Sequence, residues 1–199
     1  VSCWSDIDPA KYNPVIGRAG IPREQLTYIP HAIDRAVFYD RGKGARTAMG
    51  IPEDAFLVVT NAANRGRIPV RKAFGEMADA MATFMRDRPD VYWMIHTEPN
   101  GHSEGVNIPR LVGSLGIDQQ RVRYPHPVHF RNGIPQDAIA QMYSAADVQL
   151  LTSMGEGFGI PAVESQACGT PVIVSDFSAQ PELIGPHCKA VPVQRVWDE

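Results

Sequence analysis

The chain has 199 residues, enough for one sizeable hydrophobic core, and its formal net charge of -3 excludes a general attraction to nucleic acid or to anionic membranes. Any basic binding site must therefore be local. No apolar run approaches the ~18 residues of a membrane-spanning helix, and the three widely spaced cysteines argue against a disulfide framework, so we expect a cytoplasmic protein that does not bind nucleic acid.

Apolar runs and helical stretches alternate along most of the chain. Strands are predicted at residues 56–60, 92–96, 122–124, 148–151, 172–175 and 191–193. Helices are predicted at residues 45–49, 70–85, 108–115, 137–145, 161–168 and 179–184. The alternation of strand and helix implies right-handed crossovers and a parallel sheet with helices on both faces. The sequence therefore predicts an α/β, Rossmann-like fold.

Four basic residues follow the first of these strands. They are Arg65, Arg67, Arg71 and Lys72. His96 ends the second strand at the same predicted edge of the sheet. The carboxyl end of a parallel strand is where open α/β sheets place their ligands. Guanidinium groups, which can form paired hydrogen bonds, and a lysine ammonium suit the binding of a diphosphate. The alternative interpretation is that these residues form a solvated basic loop without a ligand.

The stretch at residues 152–176, TSMGEGFGIPAVESQACGTPVIVSD, contains a glycine-rich loop, a helix and a buried strand. Pro161 suits the first turn of a helix that begins near Ile160. No Ser, Thr, Asp or Asn immediately precedes that start to cap the free amides. We therefore predict that the amides around residues 157–159 and that of Ala162 face an anion.

Two carboxylates flank this predicted helix start, Glu156 in the loop and Glu164 one turn into the helix. Their opposed placement suits two hydroxylated parts of one ligand. The alternative interpretation is that Glu164 only complements the helix dipole and that Glu156 is a solvated loop charge, each effect being worth ~0.3–1 kcal/mol.

The segment EGFGIPAVE, in which seven residues separate the two glutamates, resembles the E-x7-E motif of retaining glycosyltransferase family 4, the glycosyl transferases group 1. The flanking segments AADVQLLTS and ACGTPVIVSD extend the resemblance over residues 145–176. LTYIPHAIDRAVFYD at residues 26–40 resembles the family's interdomain linker, with Ala32 in place of the usual glycine, and GRIPVRK resembles its diphosphate clamp. The resemblance implies one half of a GT-B architecture. It also implies transfer of a sugar from a nucleotide-diphosphate-sugar to an acceptor hydroxyl with retention of configuration.

The resemblance further implies roles for individual residues. Glu164 would bind the ribose hydroxyls of a sugar nucleotide, and Glu156 would contact the transferred sugar. Lys72 matches the lysine of the diphosphate clamp, and either Arg65 or Arg67 matches its arginine. The residues nearest the phosphate and sugar would be Gly157, Phe158, Gly159 and Ile160. By the same resemblance no metal and no cofactor takes part, because cations and amides stabilise the leaving diphosphate.

Residues 124–130, YPHPVHF, lie where the family places its base-binding loop, so Tyr124 and His126 are candidates for contacts with the base. A metal site at His126 and His129 is the alternative interpretation. Pro127 interrupts their spacing, and no cysteine or carboxylate stands beside them as a third ligand. We therefore predict no metal site here.

We expect residues 1–28 to be the remnant of an N-terminal acceptor domain and linker, and residues 29–199 to be a nucleotide-sugar-binding domain truncated at its carboxyl end. The implied partners are a nucleotide sugar and a sugar, lipid or glycan acceptor bound through the N-terminal domain. Peripheral membrane association of the full-length protein is compatible with this scheme. Two alternatives stay open, a non-catalytic nucleotide-sugar-binding fragment and an NAD-dependent oxidoreductase. The oxidoreductase is disfavoured because GEGFGI departs from GxGxxG.

Overall fold

The computed structural model of the chain describes residues 2–3, 27–66, 71–101 and 104–193. Within these ranges the strands are β1 (Ser2–Cys3), β2 (Thr27–Tyr28), β3 (Phe56–Asn61), β4 (Val91–His96), β5 (Val122–Arg123), β6 (Val148–Leu151), β7 (Val172–Ser175) and β8 (Lys189–Val191). The α-helices are α1 (Phe74–Met85), α2 (Ile108–Ser114), α3 (Pro127–Asn132), α4 (Gln136–Ala145) and α5 (Ile160–Ala167). Short 3-10 helices lie at Thr47–Met49, Gln119–Arg121 and Gln180–Leu183. None of the helices in these ranges is long and apolar enough to cross a bilayer.

Six of the strands form one parallel sheet in the order β5-β4-β3-β6-β7-β8. The chain runs outward from β3 through β4 to β5, then crosses back to β6 and runs outward in the other direction to β8. β3 pairs with β6, where Val58 lies opposite Val148, and the strand order therefore reverses between them. Sheets of this kind bind ligands in the crevice that forms at such a switch point, outside the carboxyl ends of the strands. β1 and β2 pair in a separate two-stranded parallel sheet.

Alternate residues of each strand point to opposite faces of the sheet, and each face carries its own apolar core. Val58 of β3 packs in the core that contains the buried residues of α1 and α2. Its neighbours Leu57 and Val59 pack in the core that contains the buried residues of α4. Helices therefore cover both faces of the sheet, as the alternating sequence pattern predicts.

The predicted strands and helices lie close to the observed ones, with three main differences. α1 begins at Phe74 rather than at residue 70, because Ala73 adopts a left-handed conformation with a φ of 51° immediately before it. Residues predicted as a loop form α3, whose first residue, Pro127, has a backbone suited to a helix start. The segment predicted as a helix at residues 179–184 is a 3-10 helix. The first difference bears on the site, because it leaves Arg71 and Lys72 in a turn before the helix.

A buried ion pair joins the segments that lead into β3 and β6. Arg46 is only 2% exposed, and it donates to Ala145 O at 2.9 Å and to Asp147 Oδ2 at 2.6 Å. The same carboxylate oxygen accepts the backbone N–H of Leu57 at 2.7 Å, and Lys43 binds the other oxygen. Burial alone would raise the pKa of Asp147, but the hydrogen bonds from Lys43, Leu57 and Arg46 outweigh it and hold that pKa below its usual value. This pair ties together the two strands that border the switch point.

Candidate functional site

Two loops meet at the crevice where the strand order reverses. One follows β3 and carries the basic residues, and the other follows β6 and carries Glu156. The backbone N–H of Met154 donates to Arg71 O at 2.8 Å, and the Arg71 guanidinium donates to Gly155 O. Arg71 and Gly155, 84 residues apart in the sequence, are thereby adjacent.

Glu156 is the acceptor for a cluster of polar side chains in this crevice. Its Oε1 accepts hydrogen bonds from the Lys72 ammonium and from Ser153 Oγ, the latter at 2.7 Å. Its Oε2 accepts from Arg71 Nη1 at 3.1 Å, and its backbone N–H donates to Ser178 Oγ at 2.9 Å. Burial alone would raise the pKa of Glu156, but the hydrogen bonds from Lys72, Ser153 and Arg71 and the charge of Lys72 outweigh it and lower that pKa. The carboxylate is therefore ionised at neutral pH.

The basic residues predicted to bind a diphosphate differ in their surroundings. Lys72 is 9% exposed and pairs with Glu156, whereas Arg71 is exposed and contacts the same carboxylate. Arg65 is exposed in the loop after β3. Arg67 lies outside the described residues. The structure thus brings Lys72 and Arg71 together with Glu156, and the identity of the clamp arginine stays a prediction.

Asn64 anchors the loop that carries these cations. Its Nδ2 donates to Glu98 O at 2.9 Å and to Val106 O at 2.6 Å, and its Oδ1 accepts from the Val106 N–H at 2.9 Å. A Cβ at Gly105 would lie 2.5 Å from Asn64 O, so the close approach of the two loops requires glycine there. Asn64 therefore holds the loop after β3 against the loop after β4, a structural role that the sequence motif does not reveal.

The start of α5 lies at Ile160, as the sequence predicts. Gly159 precedes it with a left-handed φ of 106°, a conformation that favours glycine. The N–H of Ala162 donates to Gly159 O at 2.9 Å. The prediction that the Ala162 amide faces an anion is therefore wrong, because the first turn of the helix already uses this donor.

The side chain of Phe158 anchors the glycine-rich loop to the interior of the protein. It is buried, and its ring packs edge-on against His31 with the ring centroids 5.1 Å apart. Gly157, one residue earlier, is exposed. Packing therefore occupies the Phe158 ring, so we expect residues 157–159 to contact a ligand through their backbone groups.

Glu164 belongs to a chain of hydrogen bonds that crosses the switch point. Tyr143 Oη donates to Glu164 Oε2 at 3.1 Å, and Asn61 Nδ2 donates to Tyr143 Oη at 2.7 Å. His96 Nδ1 lies 2.9 Å from Asn61 Oδ1. Burial raises the pKa of Glu164, and the hydrogen bond from Tyr143 opposes that rise. Sequence reasoning missed Asn61 and Tyr143, and the sequence cue for Asn61 is only a polar residue at the end of a buried strand.

A pocket of about 410 Å³ adjoins this series of hydrogen bonds, on the face of the sheet that carries α4. Its walls include Met94 and His96 of β4, His126, and Ile139 and Met142 of α4. His96 Nε2 is buried and has no hydrogen-bond partner in the part of the chain that the structure describes. Because burial lowers the pKa of His96, its imidazole is neutral at neutral pH. The pocket is thus largely apolar, with a neutral imidazole in its wall.

The structure separates the two residues predicted to contact a base. His126 lines the pocket, and its ring centroid lies 5.0 Å from that of His129. Tyr124 packs against the core on the opposite face of the sheet, where burial raises the pKa of its phenol to about 12. Across the described ranges, no three His, Cys, Asp or Glu side chains are grouped closely enough to hold a metal ion.

Known proteins resemble this chain in sequence. Residues 120–195 match the model of the family described as Glycosyl transferases group 1. The chain is 28% identical over 182 residues to the MMP alpha-(1->4)-mannosyltransferase of Mycolicibacterium hassiacum, a match that covers 90% of this chain and 38% of that protein. It is 34% identical over 161 residues to a D-inositol 3-phosphate glycosyltransferase of Geodermatophilus obscurus, covering 77% of this chain and 33% of that protein. The chain thus spans about a third of the length of these relatives.

Solved structures share the fold. The sucrose-phosphate synthase from Thermosynechococcus elongatus matches with a TM-score of 0.71 and 27% identity, over 98% of this chain and 45% of that one. Anabaena Alr3699/HepE, solved in complex with UDP-glucose, matches with a TM-score of 0.68 and 22% identity, over 90% of this chain and 47% of that one. The family match, the sequence relatives and the shared fold lead to one conclusion: the chain belongs to the glycosyl transferases group 1 family and forms one half of a GT-B architecture.

Proposed function

We propose that this chain is the donor-binding part of a glycosyltransferase that moves a sugar from a nucleotide-diphosphate-sugar to an acceptor hydroxyl with retention of configuration. The observation that carries this proposal is the pair of carboxylates at the switch point, of which Glu156 is bound by cations and Glu164 by a neutral phenol. Family membership supports sugar transfer, and a structural neighbour is known in complex with UDP-glucose. A nucleotide sugar is therefore the donor class that we propose for this chain.

The cations in the crevice suit the diphosphate of such a donor. When the bond between the anomeric carbon and the diphosphate oxygen breaks, its electron pair stays on the diphosphate, whose negative charge grows. Lys72 and Arg71 stand beside Glu156, from where they can extend hydrogen bonds to phosphate oxygens, and Arg65 or Arg67 adds charge to the same loop. Charge-assisted bonds strengthen as this charge develops and so lower the barrier to transfer. In this scheme no metal ion or cofactor takes part.

The two glutamates serve as acceptors for hydroxyl groups of the donor. Glu156 is ionised, and Lys72 and Ser153 hold one of its oxygens in place, so it can accept hydrogen bonds from the transferred sugar in a defined orientation. Tyr143 occupies Oε2 of Glu164, which leaves Oε1 for the ribose hydroxyls. The backbone of Gly157 and Gly159 lies between the two glutamates in the sequence, where we place the phosphate and the sugar.

We place the base of the nucleotide in the pocket next to this chain of hydrogen bonds. A volume of about 410 Å³ and largely apolar walls suit a planar aromatic ring. His96 lines the pocket and is linked through Asn61 and Tyr143 to Glu164, so the pocket adjoins the proposed ribose site. A nucleotide bound in this way lies along the carboxyl edge of the sheet.

Replacing Glu164 with alanine should weaken the binding of a nucleoside diphosphate about 10- to 100-fold, because the ribose hydroxyls lose a charged acceptor. The measurement is calorimetric titration of this chain with UDP, GDP, ADP and UDP-glucose, each with and without EDTA. We expect the wild-type chain to bind one base selectively and chelation to leave that affinity unchanged.

Glu53→Ala is the matched control for this titration. Glu53 is exposed in the segment before β3, at the amino end of that strand and so at the opposite edge of the sheet from the crevice, and its replacement should leave the affinity at the wild-type value. Equal affinities of the wild-type chain and Glu164→Ala would refute the ribose role of Glu164. Loss of binding in EDTA would contradict a site that relies on its own cations, and failure of the wild-type chain to bind any of these ligands would contradict a complete donor site.

A non-catalytic nucleotide-sugar-binding module is the second candidate function. The observation that favours it is that the chain spans about a third of the relatives that it matches. Under the first proposal the acceptor binds through an N-terminal domain, so we expect this chain alone to bind the donor without transferring its sugar. Transfer assays on this chain and on the full-length protein, run side by side, distinguish the two. Activity of the full-length protein supports the enzyme, and inactivity of both with intact donor binding supports the module.

A further inference from the structure

Three side chains connect the pocket to Glu164, and each of their hydrogen bonds has a single direction. The Asn61 amide nitrogen can only donate, so the Tyr143 oxygen accepts from it and the phenol proton is left for Glu164 Oε2. Asn61 Oδ1 can only accept, so His96 Nδ1 carries the proton in the remaining bond. Every bond of the chain therefore donates toward Glu164. Protonation of His96 at Nε2 leaves this direction unchanged, because Nδ1 keeps its proton in both states.

The phenol of Tyr143 is held in place independently of Glu164. Tyr143 belongs to α4 and its side chain is fully buried, and burial followed by the charge of Glu164 raises its pKa well above the usual value. Its hydroxyl therefore stays protonated and has one proton to donate. Asn61 already donates to the phenol oxygen. If the O–H rotated away from Glu164, the hydrogen bond between the phenol proton and the carboxylate would be lost.

The other titratable groups around Glu164 do not replace this donor. Cys168 lies one turn after Glu164, directly after the end of α5, and burial raises the pKa of its thiol, so it stays neutral. His96 reaches Glu164 only through Asn61 and Tyr143. The Tyr143 hydroxyl is thus the group that counters the effect of burial on Glu164.

We propose that His96, Asn61 and Tyr143 are positioning residues that orient the carboxylate of Glu164 for the ribose hydroxyls of a nucleotide, an inference that rests on the proposed function. Tyr143 donates a hydrogen bond to Oε2 of Glu164, and Oε1 is thereby left oriented toward the ligand. Asn61 and His96 hold the phenol in the rotamer and hydrogen-bonding direction that this requires. The pocket and the ribose carboxylate are consequently parts of one hydrogen-bonded unit.

The test is the pH dependence of nucleotide binding by Tyr143→Phe. Glu164 accepts ribose hydroxyls when it is ionised, so wild-type affinity is present above the pKa of Glu164 and is lost as the pH falls through it. Removing the phenol hydroxyl raises the pKa of Glu164, so the affinity of Tyr143→Phe should be lost at a higher pH. We expect affinity at neutral pH to fall about tenfold. The measurement is the calorimetric dissociation constant from about pH 4 to pH 8, with UDP as the probe or whichever of GDP and ADP binds in its place.

A second variant and two controls complete the experiment. Asn61→Leu frees the phenol to rotate and should shift the midpoint in the same direction by less, which keeps the inference testable if Tyr143→Phe fails to fold. Tyr39→Phe removes an exposed phenol and should match the wild type at every pH. Glu164→Ala should bind the nucleotide weakly across the whole pH range, and its affinity should not show the pH dependence that the ionisation of Glu164 causes in the wild type.

The outcomes separate this inference from the function on which it rests. A higher midpoint for Tyr143→Phe and Asn61→Leu supports the positioning chain. If Tyr143→Phe and Asn61→Leu lose affinity uniformly with an unchanged midpoint, or do not change at all, the positioning role of these residues is refuted. Weak binding by Glu164→Ala would still support the ribose role of Glu164. Wild-type affinity in Glu164→Ala overturns the ribose role itself.

Discussion

Replacing Asp147 with alanine should lower the free energy of unfolding by about 3–5 kcal/mol, because it leaves the buried guanidinium of Arg46 without its counter-charge. The substitution also removes the acceptor of the Leu57 N–H at the start of β3. Both losses fall on the segments that lead into the two central strands. Urea-induced unfolding followed by circular dichroism measures the difference.

An exposed ion pair provides the control for this experiment. Asp137 is 67% exposed in its side chain and pairs with Arg41 at 2.6 Å, so Asp137→Ala should cost only about 0–1 kcal/mol. Equal unfolding midpoints for Asp147→Ala and Asp137→Ala would contradict a structural role for the buried pair.

The contribution of Asp147 should also depend on pH. The pKa of its carboxyl is lower in the folded protein than in the unfolded chain. Its stabilisation is therefore present above the unfolded-state value of ~3.9 and lost as the pH falls through the folded-state value. The unfolding midpoints of the wild type and Asp147→Ala should converge in acid, and a constant difference down to acid would contradict the assignment.

Replacing Lys72 with methionine should weaken the binding of UDP about 10- to 100-fold and slow sugar transfer by the full-length protein about 100- to 1000-fold. Methionine keeps most of the length of the side chain and removes its charge. Among the residues that the structure describes, the Glu156 carboxylate then keeps Ser153 and Arg71 as its side-chain partners, and it repels the incoming diphosphate. Calorimetry with UDP and UDP-glucose measures the binding effect.

Glu156→Gln separates the two parts of this cluster. It releases Lys72 for the diphosphate, so UDP should bind at least as tightly as to the wild type, while UDP-glucose binds more weakly because its sugar loses a charged acceptor. Adding Glu156→Gln to Lys72→Met should recover part of the lost UDP affinity, since the repulsion disappears. Lys189→Met, on an exposed position of β8, is the control. Wild-type UDP affinity in Lys72→Met would contradict the diphosphate role.

The sequence predicts the fold because its signals are local. The four inner strands of the large sheet are short, mainly apolar runs, and the apolar residues Phe74, Met77 and Met81 of α1 recur at helical spacing and are buried. Local signals fail where one backbone conformation decides the outcome. Ala73 delays α1 by four residues, and only the structure shows the left-handed φ that does so.

The individual residues of the candidate site could be predicted from the sequence, but the hydrogen bonds that connect them could not. The two glutamates and the basic loop stand out in the sequence, as does the motif that joins Glu156 to Glu164. The bonds between these parts span long separations, 84 residues from Lys72 to Glu156 and 82 from Asn61 to Tyr143. No spacing in the sequence encodes such contacts, since they arise only when β3 and β6 pair.

The reversal of strand order between β3 and β6 divides the sheet into two halves of three strands each. The half that ends with β5 supplies the cations, Lys72 and Arg71, and the half that begins with β6 supplies the carboxylates, Glu156 and Glu164. Each half therefore supplies one sign of charge to the proposed site, which is incomplete without the other half. The proposed nucleotide-sugar site lies on the seam between them, and we expect a ligand bound there to hold the two halves together. We also expect a cut in the exposed segment at Gly133 to give two complementary fragments.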